Sequence, residues 1–338
     1  MNSAAVPFEQ CSILVAGAGS IGRRHIGNLK KLGVTRLAAC DPHPERLAYV
    51  SSEFQVECFP TLEAGLQEFR PKAVLICTPP VHHVAQAMQA LRASAHLFVE
   101  KPLSNRLDGV EELREQAAKC GVVVQVGYNL RFHPPIERLK ELVDSAAVGK
   151  ILWARVESGS YLPDWRPWQD YRKSYTARRE LGGGILLDGS HEIDYVTWLF
   201  GAPREVACMA GRVSQLDVNV EDCATILLGF PDGTRADVHV DFIQRSYSRS
   251  CTLVGPEGKL CWNFTSNAVQ IERPGGQVET QKFDSEANGM YVNEMAHFLE
   301  CVKTGARPRF GLEDATLTLR VALAARRSAE ERTWVTLA

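Results

Sequence analysis

Nowhere in the 338 residues does an apolar run reach the ~20 positions that a helix needs to cross a bilayer. The first basic residue is Arg23, so the N-terminus lacks the charged start of a secretory signal. Charge of one sign is also missing: 38 Lys and Arg against 40 Asp and Glu leave a net −2. Neither nucleic acid nor an anionic membrane surface is offered a global electrostatic footprint. No two of the ten cysteines are spaced C-x-x-C, and Cys40, Cys77, Cys223 and Cys251 sit in or beside apolar runs. They read as buried free thiols in a reducing cytoplasm rather than as disulfides or metal ligands. Internal repeats and low-complexity segments are absent too. With 45% hydrophobic residues, the composition excludes a disordered, collagen-like or disulfide-scaffold chain. A cytoplasmic, globular protein of about two domains, at roughly 150 residues each, is what remains.

Through residue 128, short continuous apolar runs alternate with helix-like segments. The strands are SILVAG (12–17), 36–40, 55–59, AVLICT (73–78), HLFVE (96–100) and VVVQV (122–126). Helices are expected at 20–32, 44–52, 62–69, 81–93 and 106–120. A parallel sheet covered on both faces requires this rhythm. After Pro134-Pro135 it changes: a helix at 135–145, a strand at 151–158, a polar and aromatic loop, and a helix at 185–200. From 204 onward come strands with turn signals at Pro231-Asp232-Gly233, Gly255-Pro256 and Pro274-Gly275-Gly276, which predict a mostly antiparallel sheet. Helices near 289–303 and 314–330 and a strand at 333–337 end the chain. The expectation is a dinucleotide-binding domain over 1–128 and an α+β domain over 129–338.

The first strand runs directly into Gly17-Ala18-Gly19-Ser20-Ile21-Gly22, which opens a helix, and Asp41 ends the next strand. Gly17 permits the tight turn, Gly19 lets a pyrophosphate approach the backbone, and Gly22 lets helix and strand pack closely. The N–H groups at Ser20 and Ile21 and the helix dipole favour phosphate. A carboxylate at Asp41 accepts hydrogen bonds from an adenosine ribose diol and repels a 2′-phosphate, which favours NAD over NADP. Arg46 and His43 lie near enough in sequence to soften that choice, and an Asp before Pro42 could also be a simple cap.

TPPVHH (78–83), EKPLS (100–104) and GGGILLDGSHEIDY (182–195), in this order after the glycine turn, resemble the glucose–fructose oxidoreductase and inositol dehydrogenase (Gfo/Idh/MocA) family over essentially the whole chain. The resemblance implies a Rossmann domain followed by an open-faced, mostly antiparallel sheet, and NAD(P)-linked redox chemistry on sugars, cyclitols and related carbonyl compounds. It implies that Thr78, Pro79 and His83 line the cofactor cleft, that Glu100 and Asn129 lie near the nicotinamide ribose, and that a cis bond joins Lys101 to Pro102. Trp165 and Arg166 would come from a loop over the nicotinamide end and Tyr291 from a helix beside the substrate, although core packing suits Tyr291 nearly as well. Lys101 would be catalytic. Chemistry supports this, because a lysine ending a parallel strand stands at the edge where such sheets bind ligands. Asp188 and His191, three apart on an apparent helix, would share one face. A histidine suits the removal of a hydroxyl proton during hydride transfer. Asp188 would orient or tune the site, and Lys101 would stabilise alkoxide charge. The spacing D-G-S-H is one residue shorter than in many relatives, which leaves open which of the two meets the substrate hydroxyl. HEIDY lacks the second histidine of a zinc motif, and no metal is expected.

The segment YLPDWRPWQDYRKSYTARR (161–179) interleaves Trp165, Trp168, Tyr171 and Tyr175 with Arg166, Arg172, Lys173, Arg178 and Arg179. Aromatic faces stack on sugar rings and guanidinium groups grip anions, so an anionic sugar or sugar nucleotide is one reading and a solvated loop the other. The leading functional expectation is an NAD-dependent dehydrogenase of a secondary alcohol on a sugar, sugar nucleotide or cyclitol. The alternatives are an NAD-dependent glycosidase that oxidises its sugar transiently, and a non-catalytic NAD sensor. Residues 223–230 and Val238, Val240 and Phe242 are expected to build a sheet whose open face pairs with a second copy, as dimer or tetramer.

Overall fold

The computed structural model describes residues 11–337, which fall into two compact units. One runs to Asn129 and takes in Asn288–Ala315. The other holds Leu130–Ala287 and the chain from Thr316.

In the first unit the chain order is β1 (Ile13–Ala16), α1 (Ser20–Lys31), β2 (Leu37–Cys40), α2 (Pro44–Phe54), β3 (Glu57–Phe59), α3 (Leu62–Glu68), β4 (Ala73–Ile76), α4 (His83–Arg92), β5 (His96–Glu100), α5 (Val110–Cys120) and β6 (Val124–Gly127). The strands lie in the order β3-β2-β1-β4-β5-β6, all parallel. Every residue of β1, β2 and β4 is buried, because crossover helices cover both faces of such a sheet. The strand order reverses between β1 and β4, and ligands of open α/β sheets bind at that reversal, beyond the carboxyl ends of the strands. The glycine turn after β1 and the Thr78 turn after β4 both stand there.

The second unit contains α6 (Pro134–Asp144), β7 (Trp153–Gly159), α7 (Ile185–Asp188), α8 (Ser190–Phe200), β8 (Glu205–Gly211), β9 (Cys223–Gly229), β10 (Arg235–Asp241), β11 (Ser248–Gly255), β12 (Gly258–Asn263), β13 (Ala268–Glu272), β14 (Val278–Lys282) and, at the chain's end, β15 (Val335–Thr336). Nine strands order as β14-β13-β12-β11-β7-β10-β9-β8-β15. Only β7 and β10 run parallel, and the expected mostly antiparallel sheet is present. Helices α7 and α8 pack on β7, β9 and β10, and α6 packs on β12 and β13. The alternating residues Ala224, Ile226, Leu228, Val238 and Val240 are buried. They lie on the helix-covered face, not on the open one. The opposite face carries Thr225, Leu227 and Met209, the last 82% exposed.

Three expectations need correction. The segment 288–315, expected in the second domain, belongs to the first unit. Its helix α9 (Gly289–Thr304) presents Met295, Phe298, Leu299 and Val302 at helical spacing, and these join the core around Ile26, Leu29 and Phe98. The single helix expected over 185–200 is two, broken at Gly189. A Cβ there would sit 2.8 Å from the Ile185 carbonyl oxygen and 3.1 Å from Cβ of Val240, so the break follows from close approach to β10. All ten cysteines are free thiols, but Cys223 is only half-buried and Cys120 is exposed. The last helix, α10 (Leu312–Glu331), completes the set, and among the described residues no helix is long and apolar enough to cross a membrane.

Candidate active site

The glycine turn is built as a phosphate cradle. Gly17 has φ +99°, and a Cβ there would lie 2.7 Å from the Cys77 carbonyl oxygen; a Cβ at Gly22 would lie 1.9 Å from the Gly17 oxygen. Gly19 faces open space, with nothing within 4 Å of a Cβ, and no side chain caps the start of α1. Ser20 is exposed and Ile21 half-buried at that helix start. Asp41 is 3% exposed, and its carboxylate accepts from the backbone N–H of Ala18 (2.8 Å) and of His43 (3.0 Å), with Arg46 Nη1 at 3.4 Å. These bonds hold the carboxylate beside the glycine turn. The residues present fit a dinucleotide.

On the neighbouring strands, Thr78 and Pro79 are half-buried and Thr78 Oγ1 donates to Gln86 at 2.7 Å. His83 is buried, with its ring nitrogens 2.9 Å from the Pro102 oxygen and 2.8 Å from the Thr78 oxygen. It therefore ties the TPP turn to the KP turn. Burial pushes its pKa below the usual histidine value, and a neutral ring, with one N–H, donates to only one of these two oxygens. The Lys101–Pro102 bond is cis. Glu100 is buried, with Oε1 2.6 Å from Nε2 of His25 on α1, while Oε2 accepts from the backbone N–H of Lys101 at 3.2 Å. Sequence reasoning missed His25. Its signal was available, since it falls in the inward stripe Gly22, His25, Ile26, Leu29 of α1. Asn129 is buried at the end of this unit, and its Oδ1 has no hydrogen-bond partner among the described residues. Tyr291 lies on α9 in this same unit, its ring edge-on to His25 at 6.3 Å with the Arg24 guanidinium 4.4 Å above it.

In the second unit, Asp188 ends α7 and His191 lies in the first turn of α8, both buried, on either side of the Gly189 break. The argument from one continuous helical face therefore does not apply. Two loop side chains meet Asp188 instead: the Tyr175 hydroxyl donates to Oδ1 at 3.0 Å and the Thr176 hydroxyl to Oδ2 at 2.7 Å. The glycines before α7 make this possible. A Cβ at Gly183 would lie 2.2 Å from the Tyr175 oxygen, Gly184 has φ +110°, and its N–H donates to the Thr176 oxygen. Helix α8 is pinned by two ion pairs, the first buried on both sides and the second on the carboxylate side. Arg131 reaches Asp194 through Nε (2.9 Å) and Nη2 (3.0 Å), and Arg249 Nε lies 2.9 Å from Glu192. His133 stands near that cation, and burial together with Arg249 lowers its pKa to about 4.

The loop between Tyr161 and Arg179 is a chain of 3₁₀ turns. Trp165 donates from Nε1 to Ser160 Oγ and packs edge-on against Phe242 at 5.4 Å, while Arg166 is half-buried. Arg172 forms a two-pronged pair with Asp170, Arg178 donates to the Arg172 oxygen, and Arg179 donates to the Asn219 oxygen. Trp168 is exposed.

A parallel sheet in Rossmann order, a dinucleotide cradle and a second unit with an open-faced mixed sheet define an NAD-binding oxidoreductase. Residues 11–128 match the oxidoreductase family with NAD-binding Rossmann fold, and 136–261 match the GFO/IDH/MocA C-terminal domain. The chain belongs to the Gfo/Idh/MocA family. It is 28% identical over 338 residues to the myo-inositol 2-dehydrogenase of Thermotoga maritima, covering 96% of this chain and 97% of that one. Identity to the scyllo-inositol 2-dehydrogenase (NAD(+)) of Bacillus subtilis is 26%, covering 94% of this chain and 93% of that one. The fold is also that of levoglucosan dehydrogenase in complex with NADH and levoglucosan, with TM-score 0.87, 19% identity and coverage of 96% and 99% of the two chains.

Proposed function

We propose that the protein oxidises or reduces one secondary alcohol or ketone position on a sugar or cyclitol, using NAD in preference to NADP. The observation that carries this reading is Lys101 at the carboxyl edge of β5, in the unit that also holds the glycine cradle and Asp41. The kinship to two inositol dehydrogenases supports the substrate class. Bound NAD would supply the hydride acceptor, held by Gly17, Gly19, Gly22 and Asp41, with Glu100 and Asn129 on the ribose side. His191 takes the hydroxyl proton, Lys101 stabilises the alkoxide charge, and Asp188 orients the hydroxyl. The substrate we favour is neutral. Arg172 and Arg178 are engaged by the loop's own groups and Arg179 by Asn219, which leaves Arg166 as the loop guanidinium for an anionic substituent. The protein is also proposed to self-associate through the open face of its nine-stranded sheet.

The test is a panel of sugars and cyclitols screened for NAD reduction, with product analysis for bond cleavage. Lys101→Ala and His191→Ala should each lower kcat by about 10² or more while NAD affinity changes by less than about tenfold. Near-normal turnover in His191→Ala would remove it as the base. Aglycone release without net NADH would replace the dehydrogenase by the glycosidase reading.

A further inference from the structure

A buried carboxylate needs hydrogen bonds to stay ionised, and two of the donors that meet Asp188 are hydroxyls from a loop thirteen and twelve residues upstream. The two donors differ. Thr176 is 1% exposed and belongs to the interior, while Tyr175 is half-buried and brings a phenol, a stronger hydrogen-bond donor than an alkyl hydroxyl. Backbone bonds fix the Tyr175–Ala177 turn from two sides: Gly184 N–H donates to the Thr176 oxygen at 3.1 Å, and Asn219 N–H donates to the Ala177 oxygen at 3.2 Å. Gly183 is required for that approach, since any side chain there would meet the carbonyl oxygens of Tyr175 and Thr176 at 2.2 and 2.6 Å. The glycine triplet 182–184 thus serves to bring the phenol onto the carboxylate.

We infer that Tyr175 is a positioning residue of this enzyme, whose O–H keeps the Asp188 carboxylate ionised and fixed in orientation for the substrate hydroxyl. The inference rests on the functional reading above for Asp188's role. It does not rest on that reading for the coupling itself. A hydrogen bond to the charged form of an acid lowers its proton affinity, so removing the donor raises it.

The experiment titrates the Asp188 carboxyl by carbon-13 NMR in the full-length protein, with Asp188→Asn supplying the assignment. Tyr175→Phe keeps the ring and should raise the Asp188 midpoint by about one pH unit, a tenfold change in proton affinity. Replacing the Tyr175 side chain by a fluorinated tyrosine, a more acidic phenol, should move the midpoint the other way. With a substrate from the panel, the acid limb of the kcat/KM profile should follow both shifts, and NAD affinity should stay within about twofold. A midpoint and acid limb that stay put in both variants would overturn the proposal and make Tyr175 a fold clamp only. Should Tyr175→Phe fail to fold, the fluorinated variant decides alone. The titration needs no substrate. A wild type that oxidises nothing in the panel while the midpoint still shifts overturns the functional reading and not the coupling.

Discussion

Asp41 shows how a single side chain can be read for chemistry before its surroundings are known, and how the surroundings then qualify it. Its place after the second strand marked it as a ribose-binding carboxylate. The structure adds that two backbone N–H groups hold it and that Arg46 stands 3.4 Å away, 40% exposed at its side chain. The carboxylate is buried and only the arginine side chain reaches solvent, so Arg46 has room to turn toward a 2′-phosphate. Asp41→Ala should therefore narrow the preference for NAD by about an order of magnitude, read by titrating both cofactors; equal affinities in the wild type would contradict the assignment. His25 and Tyr175 mark the other side of residue-scale reading. A histidine on an inward helical stripe signals a buried partner but not that the partner is Glu100. Among the five loop aromatics, nothing in the spacing singles out the one that meets a carboxylate thirteen positions later.

At the scale of elements, the short strands of the first unit were legible because both of their faces are buried, which forces continuous apolar runs bounded by turns. Their observed ends differ from the expected ones by at most two residues, as at Glu57–Phe59 against 55–59. Helix α8 was harder to read. It is buried along nearly its whole length, so it carries Glu192 and Asp194 inside, and each is balanced by an arginine from a distant element. Arg131→Met should destabilise the second unit by about 3–5 kcal/mol, because Asp194 would remain buried without its bidentate cation. Urea unfolding of the variant measures this. A loss below about 1 kcal/mol would mean that Thr318, whose hydroxyl lies 3.3 Å from Asp194, suffices to hold the carboxylate. The break at Gly189 was not expected from the sequence because the apolar pattern runs on through it; the nearness of the Ile185 carbonyl and of Val240 accounts for it.

For the whole molecule, the open face of the nine-stranded sheet, with Met209 and Leu227 exposed, is the surface proposed to bury itself against a second copy. Light scattering at micromolar concentration should give a mass above the 37.4 kDa of one chain, and Leu227→Glu should shift it toward the monomer. A wild type that stays monomeric would end that proposal. The sequence by itself determined the two-part architecture, the parallel and the mostly antiparallel sheet, the glycine cradle and the candidate groups Lys101, Asp188 and His191. Each of these is written in local periodicity or in motifs a few residues long. Only the tertiary structure decided that α9 packs into the Rossmann core, that α7 and α8 part at Gly189, and that Tyr175 and Thr176 hold Asp188. These depend on which surfaces approach within a few ångströms across long stretches of chain, and such distances leave no periodic trace in a single sequence.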